Sequence, residues 1–292
     1  MKPFHSNRLL GGLAGIALAL TTLPAGADII AADAFNYTPS GASLDGANGG
    51  SGSPGWTGPW SADATATVGT GLPYGGYGGL GLGNGATLAG VTIPPGNALT
   101  RGIGDSSAVV GNEVWMRVLY SPGSQVEHSP ATATPFQLFT ASGGFLNLQR
   151  TVGAEGEGDP IFALNMSGAN AGSATFDLSG SGTRMLLWKL SINQSAGANE
   201  ILSMWVNPTA ITEAGLGTPF ASVSANILQG GDDYLSLFSA DGLGDRINDL
   251  VIGTKLSDVT AVPEASGPMM MLLVSLLATG VIWYRWRQTV SA

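Results

Sequence analysis

The 292-residue chain contains no cysteine and only two histidines, His5 and His128. No disulfide can brace it, so a folded part must stand on its hydrophobic core. His5 lies in a leader segment, which leaves His128, in the Pro-flanked stretch SPGSQVEHSP, as the one histidine beyond it. One histidine without cysteine is too few for a zinc site and a poor start for a nucleophilic triad. Charge is scarce as well, at 11% of residues. Between positions 28 and 260, seven Lys and Arg stand against nineteen Asp and Glu, a net charge of −12. Nucleic acid requires a basic patch against its phosphates, so that class of partner is excluded. Helical periodicity is missing too. No stretch of 28–260 repeats its apolar residues every 3.6 positions over the length of a helix.

What the chain does have is most specific at its ends. Residues 1–27 read MKPFHSNRLLGGLAGIALALTTLPAGA. Lys2 and Arg8 precede an apolar run from Leu9 to Leu23, and Ala25-Gly26-Ala27 follows. That order predicts a signal peptide for the Sec export machinery, with the mature chain starting near Asp28. The other end reads VPEASGPMMMLLVSLLATGVIWYRWRQTVSA, residues 262–292. From Ala265 to Tyr284 there is no charged side chain. Twenty helical residues span roughly 30 Å, about one hydrocarbon core, so a transmembrane helix is expected at about 267–284. Trp283, Tyr284 and Trp286 sit where an interfacial aromatic belt belongs, and Arg285 and Arg287 open a basic tail, 285–292. The positive-inside rule places that tail in the cytoplasm and residues 28–260 on the far side.

The middle is punctuated by glycine, 45 in all, clustered between short apolar runs. Strands are predicted at 113–120, 136–140, 145–149, 161–165, 184–192, 201–206, 221–228, 234–239 and 247–252, with the fifth and sixth forming a hairpin. In EVWMRVLY the residues Val114, Met116 and Val118 share one face. Regular strands with turn signals imply a sandwich or barrel. Leu186, Trp188, Leu190, Val206, Leu250 and Ile252 are the predicted core. Trp205 is open between core and ligand contact, since Ser203 and Asn207 share its face.

Val262-Pro263-Glu264-Ala265, then an apolar helix, then a short Arg-containing end, closely resembles the PEP-CTERM sorting signal, here covering 261–292. The second proline of that motif is replaced by Ala265, which leaves the cut site open. The resemblance implies processing by exosortase, a membrane-embedded cysteine transpeptidase. It also implies delivery from the inner membrane to the cell surface or matrix of a Gram-negative bacterium that makes extracellular polysaccharide. A second resemblance runs from about 33 to 259. Asp33-Ala34-Phe35-Asn36-Tyr37, LDGANGG (44–50), Gly55-Trp56, Pro59-Trp60, Glu113-Val114-Trp115, LLWK (186–189), LSMWVNP (202–208) and DLVIGTKLSDV (249–259) are similar, in order, to concanavalin A-like, laminin-G-like domains. That resemblance implies an all-β fold for 28–260, a jelly-roll sandwich of two antiparallel sheets.

No catalytic residue is assigned. The fold also carries glucanases with carboxylates at alternate strand positions, and Glu155, Glu157 and Asp159 have that spacing. Every residue between them is Gly and Pro160 follows, so the stretch reads as an acidic loop. GGYGGLG contains G-x-G-x-x-G at Gly76, Gly78 and Gly81, but no strand-then-helix pattern surrounds it. Asp232, Asp233, Asp241 and Asp245 crowd a Gly-rich stretch with Asp249 and are the candidates for calcium, the one cofactor considered; their spacing is not that of an EF-hand. Trp56, Trp60, Tyr74 and Tyr77 lie in Gly- and Pro-rich segments, either as rings that stack on sugars or as packing that holds a long loop. Three functions follow: a non-enzymatic surface or matrix protein, a module that binds extracellular polysaccharide, or a glycan hydrolase or lyase.

Overall fold

The computed structural model describes residues 29–35, 37, 41–62, 66–73, 87–94, 98–105, 112–123, 131–152, 161–167, 172–177, 182–192, 199–210, 212–227, 235–241 and 244–260. Fifteen strands appear in chain order among them: β1 Ile29–Asp33, β2 Ser61–Ala62, β3 Thr67–Pro73, β4 Thr87–Ile93, β5 Ala98–Gly102, β6 Glu113–Ser121, β7 Ala131–Thr140, β8 Phe145–Val152, β9 Ile161–Ser167, β10 Gly172–Asp177, β11 Arg184–Ser191, β12 Glu200–Val206, β13 Ala221–Ala225, β14 Leu235–Asp241 and β15 Asp245–Gly253. Two short helices, α1 Glu213–Leu216 and α2 Leu256–Thr260, complete the set. No helices were expected there. At four and five residues they are too short to leave an amphipathic stripe in the sequence.

The strands form two antiparallel sheets. One has the order β13-β12-β11-β6-β15-β4-β3, with β1 also paired to β15; the other has the order β10-β9-β8-β7-β14-β5-β2. The sheets pack face to face, as alternating strands require when one face of each is apolar. Val114, Met116, Val118, Leu186, Trp188 and Leu190 come from the first sheet, and Phe136, Leu138, Leu146, Leu148, Phe162 and Leu164 from the second, all within one buried cluster. Of the predicted core, Leu186, Trp188, Leu190, Leu250 and Ile252 are buried, whereas Val206 is half-buried at the end of β12. Trp188 packs its ring on Phe136 across the interface, 4.9 Å between centroids. The void lined by Met116, Leu138, Trp188 and Leu190 is about 10 Å³, room for no more than one water.

The predicted hairpin is present as β11–β12, Leu186 opposite Val206 through Ser191 opposite Ile201. Asn207 ends it in a left-handed conformation, φ 51°. Its Oδ1 accepts from the Met185 amide at 2.9 Å while its own amide donates to the Met185 carbonyl at 2.8 Å. The side chain thus extends the ladder by one rung after the backbone has turned away. Where the edges β10 and β13 meet, the sheets come together closely. A Cβ on Gly172 would lie 2.4 Å from Val223 Cγ2 and 2.5 Å from the Ser224 carbonyl oxygen, so only glycine fits.

Among the described residues no helix is long and apolar enough to cross a membrane. The signal peptide, the motif Val262–Ala265, the helix at 267–284 and Arg285 and Arg287 all lie outside the described residues.

Candidate functional site

Three of the arginines are spent inside the molecule, each against an aspartate, and two of these pairs decide the fate of predicted site residues. Asp33, at the end of β1, is 3% exposed. Its Oδ2 accepts from Tyr37 OH at 2.5 Å, Trp60 Nε1 at 2.9 Å and Arg101 Nη1 at 2.9 Å, while Oδ1 takes the Phe35 amide at 2.7 Å. Arg101 comes from β5, donates from Nε to the Gly58 carbonyl and from Nη2 to Asn48 Oδ1, and lies over the Trp56 ring, 5.0 Å from its centroid. A charge taken out of water needs this density of partners. Burial first, then the hydrogen bond and charge of Asp33, push the Tyr37 phenol up to about 12.

This arrangement corrects the reading of Trp60 as a sugar platform. Its ring is 1% exposed, packs 5.5 Å from Phe35 and from Trp56, and meets Phe238 edge-on. Trp56 is half-buried; its Nε1 donates to the Ala32 carbonyl at 3.0 Å, and Arg101 occupies its face. Both indoles fasten the 41–60 segment to β1 and β5. Asp33, Phe35 and Tyr37, Asn48 of LDGANGG, and Trp56 and Trp60 therefore meet as one joint of the fold. Tyr74 and Tyr77 lie outside the described residues.

Asp245 is likewise not a calcium ligand candidate in this geometry. It is wholly buried, and its Oδ1 accepts from Arg150 Nη1, from the Gly123 amide at 2.7 Å and from Tyr120 OH at 3.2 Å. Arg150 stands on β8 and Asp245 on β15, so the pair ties one sheet to the other. Burial, then the charge of Asp245, raise the Tyr120 phenol well above its ordinary value. Asp249 is also engaged. A bulge in β15 puts it at φ 49°, aimed at Arg117 Nη2, 2.8 Å from its Oδ2. Asp241 closes β14, but its side chain is not among those described; Asp232 and Asp233 lie outside the described residues, as do Glu155, Glu157, Asp159 and His128. Among the described residues no three acidic, His or Cys side chains gather to hold a metal.

The outer face of the eight-stranded sheet is covered at its middle. Leu256 and Val259 of α2 pack onto Trp115, Leu187 and Val251. Trp205, partly buried, stacks on Trp115 at 5.9 Å and 21°. Lys189 lies 5.0 Å over the Trp115 ring and bonds Glu113 at 2.8 Å and Glu213 of α1 at 2.7 Å. Burial alone pulls the Lys189 pKa down; the two glutamates outweigh it, and the net shift is up.

The outer face of the seven-stranded sheet is different. No described helix packs on it, and it carries a polar row in unbroken register. Ser173 on β10 is opposite Asn165 on β9, and Asn165 is opposite Asn147 on β8. Asn147 is opposite Gln137 on β7, which is opposite Ser239 on β14. Ser239 is opposite Thr100 on β5, and Thr100 is opposite Ser61 on β2. All seven strands contribute. Neighbours bond sideways: Ser173 Oγ donates to Asn165 Oδ1 at 2.6 Å, and Asn165 Nδ2 to Asn147 Oδ1 at 3.0 Å. One residue pair along, a second row runs through Phe145, Phe139 and Leu237, with the two phenyl rings 6.2 Å apart. The charged side chains described on these strands, Arg101 and Arg150, both point inward. A face that is merely solvated usually carries Lys, Glu, Arg and Asp. This one presents amides, hydroxyls and rings, the groups that bind uncharged polar ligands.

No sequence motif marks that face. Its residues belong to different strands and have in common only their register, so the single trace in the sequence is the polar member of each alternation: Gln137 between Phe136 and Leu138, Asn147 between Leu146 and Leu148, Asn165 between Leu164 and Met166.

No family model and no curated protein matches this sequence. Among solved structures, the chain is similar to a mutant of alginate lyase Aly36B in complex with alginate tetrasaccharide, at 12% identity and TM-score 0.48, over 78% of this chain and 98% of that one. It is similar to the CBM2 module of the evolved Dit of Lactobacillus casei BL23 phage J-1, at 12% identity and TM-score 0.41, over 77% and 95%. A third similar structure is alginate lyase vAL-1 from Chlorella virus, at 8% identity and TM-score 0.40, over 67% and 93%.

Proposed function

We propose that this chain is a non-enzymatic exported protein of the cell surface or matrix that binds polysaccharide on the outer face of its seven-stranded sheet. The carrying observation is the polar row from Ser173 to Ser61, backed by the Phe145–Phe139 row. On this reading the sandwich is a concanavalin A-like jelly roll, and the ends serve delivery: Sec export at 1–27, then exosortase acting on Val262–Ala265 while the 267–284 helix holds the protein in the inner membrane.

The test is co-sedimentation of the full chain, purified in detergent, with insoluble polysaccharides. Replacing Asn147 and Asn165 by Ala should abolish retention without lowering the melting temperature by more than a few degrees. Retention unchanged in that variant would reject the face. For sorting, Pro263→Ala with Glu264→Ala should leave the protein in the inner membrane at full length; normal surface delivery would reject exosortase as the reader.

A further inference from the structure

We infer, resting on the polysaccharide reading above, that the ligand is an uncharged glycan lying extended across the strands, its sugars in step with them.

Charge selects the class. The described part of the face carries no cation, because Arg101 and Arg150 turn inward to Asp33 and Asp245. Residues 28–260 carry −12 overall, so a uronate or sulfated chain would meet long-range repulsion with nothing described on the face to offset it. Anion-binding sites are built from Arg forks, Lys or clustered amide N–H groups at helix ends, and none is described on this sheet. Carboxamides and hydroxyls both donate and accept, which matches sugar hydroxyls, themselves donors and acceptors.

Spacing selects the direction. Neighbouring strands lie about 4.8 Å apart, so Asn165, Asn147, Gln137, Ser239 and Thr100 form a file with that step. A pyranose in an extended chain advances by about one such step, so hydroxyls recur in register with the row. The Phe145–Phe139 row runs parallel to it, two residues along each strand and thus about 7 Å away. That offset is close to the width of a sugar ring. One edge of the glycan would bond the amides while its C–H surface rests on the phenyl rings. A chain laid along β8 would meet the Phe145 ring once and then only polar positions, Asn147 and Gln149. Within the row Asn147, although on the outward side of β8, is 7% exposed.

The test is a calorimetric titration of the full chain in detergent with neutral glucan, mannan and xylan oligosaccharides of increasing length, and with oligogalacturonides as the anionic counterpart. The expected result is a neutral oligosaccharide whose affinity grows until about six sugars are bound, one per strand step, and does not respond to salt. Asn147→Ala, Gln137→Ala and Phe139→Ala should each weaken it about tenfold. Ser222→Ala, on the other sheet, should leave it unchanged. Tight, salt-dependent binding of oligogalacturonide would overturn the neutral class while leaving the polysaccharide reading intact. Neutral binding that ignores length, or ignores Gln137 and Phe139, would overturn the crossing geometry alone. Failure of every glycan to bind would overturn both.

Discussion

The Asp33 carboxylate accepts from four donors: a backbone amide, a phenol, an indole and a guanidinium that is itself locked to Gly58 and Asn48. Replacing it by Ala would leave Arg101 buried and charged without its counter-ion. The expected loss is about 3–5 kcal/mol in a urea unfolding curve, whereas Asn147→Ala, whose amide can be replaced by water, should cost well under half of that. Near-equal losses would deny Asp33 its role as a hub. The same knot sets an alkaline limit. The Tyr37 phenol is raised from 10.0 to about 12. Because its folded pKa exceeds the unfolded one, the stability it contributes is full below pH 10 and is lost as pH climbs toward 12. The urea midpoint should fall across that window, and fall less steeply in Tyr37→Phe; parallel slopes would reject the assignment. At this scale the sequence marked the right residues and left their role open. Trp56 and Trp60 stand among glycines and prolines, a setting that suits a ring exposed to sugar and a ring that seals a loop equally well. What separates the two is Arg101, 41 positions beyond Trp60 and hidden in the unremarkable strand ALTRG.

The elements legible in advance were β6 to β9 and β11 to β15, and the signal was strongest in β6, β11, β12 and β15, the middle of the eight-stranded sheet. Part of their outer face is also apolar, with Trp115, Leu187 and Val251 packed under α2, which strengthens the signal. The unpredicted strands β1 to β5 and β10 are short or rich in Gly, Ala, Ser and Thr, residues that read as turns until their register is known. β10 owes its glycine to packing. Gly172→Ala would drive a methyl group into Val223 and the Ser224 backbone, where the two sheets close on each other. A loss of about 1–3 kcal/mol is expected, typical of overpacking, and Val223→Ala in the same chain should recover part of it. A silent Gly172→Ala would mean that the β10 and β13 edges are not in contact.

At the scale of the whole molecule, the two sheets differ on their outer faces: α2 covers the middle of the eight-stranded one, and the seven-stranded one carries the polar row. That cover depends on the last described turn. Asp258 Oδ2 takes the Thr254 and Lys255 amides at 3.1 Å and 2.9 Å and so folds the chain back after β15. α2 then lays Leu256 and Val259 on Trp115, and Arg117, held by Asp249, donates to the Val259 carbonyl. The segment DLVIGTKLSDV, which carries the resemblance at this end, is therefore a clasp. A chain of residues 28–255 would expose Trp115 and Leu187 and strip Arg117 of one acceptor. Burial of two aliphatic side chains and one charged hydrogen bond together put the loss at roughly 4–8 kcal/mol, a large part of the stability of a single domain. A chain of 28–260 keeps the whole clasp and should melt cooperatively. Comparing the two by circular dichroism decides the point. Equal melting temperatures would show that Trp115 and Leu187 need no cover from α2, and the contrast between the two outer faces would fall with it.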